Sequence, residues 1–257
     1  MRAPRFWDNP PDRPGWQARL LWPLGQLYGF GTARRLVQGK RYRPSCPVIC
    51  VGNLHAGGTG KTPAAMAVLQ NLMGRGRRPV VVTRGYGGSL DGPHLVDPRR
   101  DTADLVGDEP LLLADFAAVI VAKDRAAGAR MAEAGDADVI VLDDGFQNST
   151  VDKDLSLIVV EAIRGFGNGN CIPAGPLREP VTVGLSRADM LMTLGTGEDQ
   201  NAFSETWSQS TQHLPRQMAS VSPLQTGMDW DGLKVVAFAG IGRPAKFFAT
   251  LKDLGAN

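Results

Sequence analysis

From residue 46 onward, short apolar runs alternate with longer amphipathic stretches. Pro47–Val51, Pro79–Thr83, Ala118–Ala122, Asp138–Leu142 and Leu155–Val160 each read as a buried strand. Between them, Lys61–Met73, Glu109–Phe116 and Asp124–Ala134 read as helices, the second with Asp108 as its N-cap and Pro110 in its first turn. Strands that are apolar throughout, without polar alternation, belong to a parallel sheet covered on both faces. The pattern therefore predicts a doubly wound α/β layout. Residues 163–180 form a Gly/Pro-rich loop long enough to suggest function. Beyond it come a short helix over Val181–Arg187 and a strand over Met190–Leu194. Residues 195–215, rich in Gln, Ser and Thr, read as a linker or surface excursion. A segment Met218–Val221, a strand Leu233–Ala239 and a helix Pro244–Leu254 closing at Gly255 follow. The alternation then calls for a further strand that the sequence does not contain, which suggests a chain cut short. The expected division is 1–44 as an N-terminal segment, 45–195 as the core, and 196–257 as a linker with an incomplete smaller α/β subdomain.

Before residue 44 the pattern changes. Pro23, Gly25, Gly29 and Gly31 are expected to break the apolar run Leu20–Gly31 into short helical pieces, and that run is too short to span a bilayer. Residues 1–43 carry nine Lys/Arg against Asp8 and Asp12, and seven of the 17 aromatic residues. Basic charge interleaved with Trp and Tyr suits a membrane interface. It also suits an arm packed on its own domain, or one that stacks on nucleic-acid bases. No signal peptide is expected, because Pro4, Asp8, Pro10 and Pro11 stand where an apolar stretch is needed. The whole chain is ordinary in composition, with 43% hydrophobic and 21% charged residues in 257, which excludes a disordered or fibrous protein. Three scattered cysteines, Cys46, Cys50 and Cys171, support neither a disulfide framework nor a zinc site, and the spacing of His55, His94 and His213 supports no metal site either.

The chemistry concentrates at one strand-to-helix turn. His55-Ala56-Gly57-Gly58-Thr59-Gly60-Lys61-Thr62 follows the first strand and opens the first helix of the core, the context a phosphate-binding P-loop requires. Its glycines let backbone N–H groups turn onto phosphate oxygens, Lys61 reaches the β- and γ-phosphates, and the Thr62 hydroxyl ligates Mg²⁺. His55 departs from the pattern, standing where its first glycine would be. Val139–Leu142 followed by Asp143-Asp144 has the form of a strand whose terminal acid helps hold Mg²⁺. Adjacent side chains on a strand point oppositely, so one of the two acids faces the metal, and the sequence leaves open which. Asp108-Glu109 is either a helix cap or the place of a general base for a hydroxyl. Arg178-Glu179 is either an exposed pair or a source of positive charge for a transferring phosphoryl group. Arg84 and Tyr86 lie beyond a strand end, where substrates bind in such sheets.

Together these strings resemble one family. Val51-Gly52-Asn53-Leu54, Gly57–Pro63, Thr83–Gly87, Gly107–Pro110, Leu142–Gln147, Pro173–Glu179 and Phe238–Pro244, in that order, are similar to the tetraacyldisaccharide 4′-kinases of lipid A synthesis. The resemblance implies a P-loop NTPase-like fold and transfer of the ATP γ-phosphate to the 4′-hydroxyl of a lipid A disaccharide precursor. It also implies attachment to the anionic cytoplasmic face of the bacterial inner membrane, which favours the interface reading of residues 1–44. It implies ATP and Mg²⁺ as cofactors, with residues 55–62 on the nucleotide and Thr62, Asp143 and Asp144 at the metal. Asp108, Lys61, Arg178 and Asp144 are implied as catalytic, and Arg84, Tyr86, Glu109 and Glu179 as substrate-facing. Neither nucleic acid nor an obligate protein partner is implied. The family carries a Pro-Asp-His-His segment beyond the helix that matches Pro244–Leu254, with a histidine that partners the catalytic aspartate. Its absence from these residues implies impaired transfer and exposed apolar surface over 218–254. A membrane-associated ATPase, or a nucleotide-binding remnant without lipid kinase activity, is the alternative.

Overall fold

The computed structural model describes residues 3–39, 41–223, 227–239 and 244–257. It divides into two units, residues 4–219 and a smaller one made chiefly of 220–257. The larger unit is built on an eight-stranded sheet. In chain order the strands are β1 (Val48–Gly52), β2 (Pro79–Thr83), β3 (His94–Leu95), β4 (Ala118–Val121), β5 (Val139–Asp143), β6 (Leu155–Glu161), β7 (Met190–Leu194) and β8 (Arg216–Ala219). Their spatial order is β3-β4-β2-β5-β1-β6-β7-β8, parallel throughout except for the antiparallel edge pair β3/β4. Every residue of β2 and β5 is buried, and both strands are apolar up to their last residue, Thr83 and Asp143.

One face of the sheet is covered by α2 (Lys61–Gly74) and α4 (Asp108–Ala114), whose Ala64, Ala65, Leu69 and Leu113 pack with Val51, Val81 and Val141. The other face is covered by α5 (Arg125–Ala134), α6 (Val181–Leu185) and α7 (Gly197–Thr211), through Ala129, Leu185, Phe203 and Trp207. A short helix α3 (Ala103–Val106), not foreseen in the polar stretch before Asp108, leads into α4. Asp108 itself is the first residue of α4, and Gly107 is the cap. The predicted doubly wound α/β core is present.

Three expectations need correction. The polar stretch 195–215 is no linker: it forms α7 and leads into β8, so the larger unit extends to Ala219 and not to 195. Its start is a capping box, in which the Thr196 hydroxyl accepts from Asp199 N and the Asp199 carboxylate accepts from Thr196 N. Gln200, Phe203, Trp207 and Thr211 recur on its buried side, and the two polar members bond locally, Gln200 to Thr193 and the Thr211 hydroxyl to Trp207 O. Second, the N-terminal apolar run is not broken into pieces. It is one 22-residue helix, α1 (Trp16–Val37), with Pro23 inside it, preceded by a 3₁₀ turn at Arg5–Asp8. Its buried stripe is Ala18, Gly25, Gly29, Thr32 and Leu36. A Cβ on Gly25 would stand 2.8 Å from the Cys171 carbonyl oxygen, and one on Gly29 3.2 Å from Cys171 Sγ. The glycines therefore serve close packing against the 163–180 loop. Third, Leu233–Ala239 pairs in no ladder among the described residues. In the smaller unit Val235 N donates to Asn257 O, Asn257 N donates to Leu233 O, and the chain forms α8 (Pro244–Asp253). Val236 and Phe238 are exposed there. The turn predicted at 240–242 lies outside the described residues. The three cysteines are free thiols.

Candidate active site

The parallel registers bring three strand ends to one place. Val51 pairs with Asp143, Val82 with Leu142, and Asp144 N donates to Val51 O at 3.0 Å. The phosphate loop leaves β1 there, the acid pair leaves β5, and the Arg84–Gly87 turn leaves β2. Gly60 has φ +84°, a left-handed conformation that starts α2 and sends the preceding amides around the turn. A Cβ built on Gly57 or Gly58 meets nothing within 4 Å, so both backbones line open space in front of the helix N-terminus.

Asp144, at φ +49°, is the electrostatic centre of this edge. Lys61 Nζ lies 3.6 Å from its Oδ1, and Arg178 donates to both carboxylate oxygens at 3.0 and 3.3 Å. Burial acts to raise the Asp144 pKa, but Lys61 and Arg178 outweigh it and hold the carboxyl below its usual value. Asp143 is in a different state. It is buried, its Oδ2 accepts from Thr83 Oγ1 at 3.0 Å, and its Oδ1 has no partner. Burial, followed by the charges of Glu109 and Asp144, raises its pKa to about 6. A buried carboxylate oxygen without a donor, at the end of the strand beside the phosphate loop, fits a hard divalent cation. Thr62, in the first turn of α2, supplies the hydroxyl such sites use.

The 163–180 loop is stitched to the phosphate loop. Ala56 N donates to Pro176 O, Arg178 N donates to Leu54 O, and His55 bridges Leu177. These bonds carry Arg178 to the acid pair. Glu179 lies behind, wholly buried, accepting from Arg187 Nη2 at 2.5 Å and from Gln147 Nε2 at 2.9 Å. It is a scaffold residue here, not a group open to a substrate, because both its oxygens are engaged inside the protein. His55 also turns away from the cradle. Its ring is buried with Nε2 3.0 Å from Gly165 O, and burial, reinforced by Arg164, lowers its pKa to about 4. It remains neutral and anchors the start of the loop. The Thr59 side chain is buried as well, its hydroxyl accepting from Asn53 Nδ2 at 2.8 Å.

Asp108 and Glu109 open α4 on the same edge of the sheet, and both are exposed. Glu109 is close enough for its charge to act on Asp143, while Asp108 makes no side-chain hydrogen bond or ion pair among the described residues. Tyr86 is 88% exposed and Arg84 is exposed at the mouth. Four supporting residues escape a reading of the sequence for chemistry: Thr83, Asn53, Gln147 and Arg125. The Arg125 guanidinium is buried behind the acids, donating to Ala122 O at 2.7 Å and Asp143 O at 3.3 Å. Thr83, Asn53 and Gln147 stand inside motif strings, which was their signal; Arg125 shows none.

The sequence pattern of the LpxK family, tetraacyldisaccharide-1-P 4′-kinase, matches residues 17–257. The chain belongs to this family. It is 60% identical over 255 residues to a tetraacyldisaccharide 4′-kinase of Dinoroseobacter shibae, covering 99% of this chain and 76% of that one. It is 53% identical over 257 residues to the enzyme of the same description from Jannaschia sp., covering 77% of it. The crystal structure of LpxK from Aquifex aeolicus in complex with ATP is similar with a TM-score of 0.73 at 25% identity, over 93% of this chain and 79% of that one. The strand order and the phosphate loop on β1 thus belong to a kinase family, and Lys61, Asp143, Asp144 and Arg178 converge within that shared fold.

Proposed function

We propose that the protein transfers the γ-phosphate of ATP to the 4′-hydroxyl of a tetraacyldisaccharide 1-phosphate, a lipid A precursor. The observation that carries this reading is the convergence of Lys61 and Arg178 on Asp144 beside the unpartnered oxygen of Asp143. Lys61 Nζ stands 3.6 Å from Asp144, at the head of the glycine-rich turn. With a nucleotide bound, its ammonium reaches the β- and γ-phosphates, and the glycine-rich backbone cradles them. Arg178 is placed to neutralise charge on the phosphoryl group in flight. Asp143, Asp144 and Thr62 would hold Mg²⁺, and the unpartnered Oδ1 of Asp143 supports its part in that ligand set. A bound Mg²⁺ neutralises charge on the phosphate oxygens. Asp108, exposed at the start of α4, accepts the proton of the 4′-hydroxyl as that oxygen bonds to the γ-phosphorus and the bond to the ADP oxygen breaks. Tyr86 and Arg84 border the acceptor's side of the mouth.

The lipid acceptor sets where this chemistry takes place. No helix of the described residues is long and apolar enough to cross a membrane. The outward side of α1, opposite its buried stripe, instead presents Trp16, Leu20, Leu24, Leu27 and Phe30, all exposed. An apolar helix face flanked by Arg19, Arg34 and Arg35 suits a peripheral attachment to an anionic surface, here the cytoplasmic face of the inner membrane. The test is transfer of labelled phosphate from ATP to the disaccharide 1-phosphate in detergent micelles. Transfer that depends on the lipid is expected. Hydrolysis of ATP at the same rate with and without lipid would replace the kinase reading.

A further inference from the structure

A second cavity lies outside the reaction site. Where Gly25 and Gly29 let α1 touch the 163–180 loop, the two surfaces meet; toward the start of the helix they part. A groove of about 630 Å³ opens there, with Pro11, Ala18, Arg19, Trp22, Val181 and Trp207 among its walls. Its volume falls within the range of sites for small organic ligands. The walls are mainly apolar. Trp207 is fixed on one side by an edge-on contact to Phe166, centroids 5.0 Å apart. Trp22 is half exposed and belongs both to the groove and to the exposed flank of α1. The polar side chains at the groove are those of Arg19, Asn168, Asn170 and Thr182, with no carboxylate among the lining residues. Arg19 has no ion-pair partner among the described residues, whereas Arg13 and Arg164 nearby are paired with Asp12 and Asp8. None of Lys61, Thr62, Asp143, Asp144 or Arg178 lines the groove.

We infer that this groove binds one anionic phospholipid of the bilayer, with its phosphate on Arg19 and the first part of an acyl chain between Trp22 and Trp207. Three features select this occupant. The groove is continuous with the helix face read above as lying on the membrane, a reading on which this inference rests. Its charge is positive and has no ion-pair partner among the described residues, which favours a net-anionic head group over a zwitterionic or neutral one. Its walls are apolar and lead outward along Trp22, as a chain leaving the bilayer requires. The site also touches the reaction machinery from behind. Thr182 follows Arg178 and Glu179 by a few residues, and Trp207 packs on Gly165, whose carbonyl holds His55. A bound lipid therefore braces the loop that presents Arg178 and anchors the phosphate loop.

Titration calorimetry with dihexanoyl phosphatidylglycerol below its micelle concentration tests this without any membrane, so failure of vesicle docking cannot imitate failure of the site. One saturable site is expected, with dihexanoyl phosphatidylcholine bound more weakly. Arg19→Gln removes a charge-assisted bond and weakens binding about tenfold or more. Thr182→Trp, at an exposed position, fills the groove and abolishes binding. Equal binding by wild type and Thr182→Trp, or no saturable binding by the wild type, overturns the inference. Displacement of the phospholipid by deacylated glucosamine disaccharide 1-phosphate overturns it too, since the groove would then hold the kinase substrate's head group.

Discussion

Asp143 shows how one side chain couples metal, proton and fold. Burial raises its pKa to about 6, so the folded chain holds a proton that the unfolded chain releases near 4. Its contribution therefore favours the folded state at low pH and is lost as pH rises from about 4 to 6, a difference of about 3 kcal/mol for a shift of this size. In thermal melts without metal, Asp143→Asn should remove that loss and melt above the wild type at pH 7, while the two converge near pH 4. Mg²⁺ should raise the wild-type melting temperature at pH 7 and leave the variant unmoved. Parallel pH curves for the two proteins would show that Asp143 is not the strained acid described. Lys61→Ala removes the cation 3.6 Å from Asp144 and is expected to cost transfer at least on the order of 10²-fold, read in the lipid kinase assay. An unchanged rate would detach the glycine-rich turn from the chemistry. Lys61, Asp144 and Arg178 each follow a strand or a glycine-rich turn in a recognisable spacing, and the fold brings the three together. His55 and Glu179 stand beside motif residues, and only the fold shows that their side chains turn inward. Burial of a polar group is set by tertiary neighbours that no local pattern records.

The elements divide in the same way. The central strands were readable because burial on both faces leaves them apolar over most of their length. α7 was missed because half of its buried positions are Gln and Thr, satisfied by local hydrogen bonds, which erases the periodic apolar signal. α1 was expected to break because helix propensity penalises glycine and proline, yet packing reverses that judgement where the glycine is what permits contact. Two substitutions within α1 separate the effects. Gly25→Ala puts a methyl 2.8 Å from the Cys171 carbonyl oxygen, a backbone atom that cannot swing aside, and is expected to destabilise by about 1–3 kcal/mol. Gly31→Ala meets nothing within 4 Å and should stabilise by up to about 1 kcal/mol. Denaturant midpoints for the pair measure this directly. Shifts of the same sign would mean that propensity, not contact with the 163–180 loop, governs the helix.

In the larger unit, the fold places two surfaces on one loop. Residues 163–180 carry Arg178 to the acid pair and anchor the phosphate loop through His55, while Cys171 receives the glycines of α1. In the proposed reading, a kinase whose acceptor is a lipid needs its phosphate site held at a fixed position relative to the membrane surface, and a loop shared with α1 would supply that. The outward apolar face of α1 is the testable part. Leu20, Leu27 and Phe30 are 71%, 68% and 67% exposed and take no part in the core, so replacing all three with serine should leave the melting temperature nearly unchanged. Full burial of such side chains is worth about 1.5–3 kcal/mol each. Even partial insertion of all three predicts a loss on the order of 100-fold in binding to vesicles rich in phosphatidylglycerol, measured by cosedimentation. The basic flanks add an electrostatic share, so wild-type binding should also weaken as salt rises from 0.1 to about 0.5 M. A triple variant that sediments like the wild type would remove α1 as the membrane contact. If only the salt dependence persisted, the arginines would be the contact and the apolar face would need another partner.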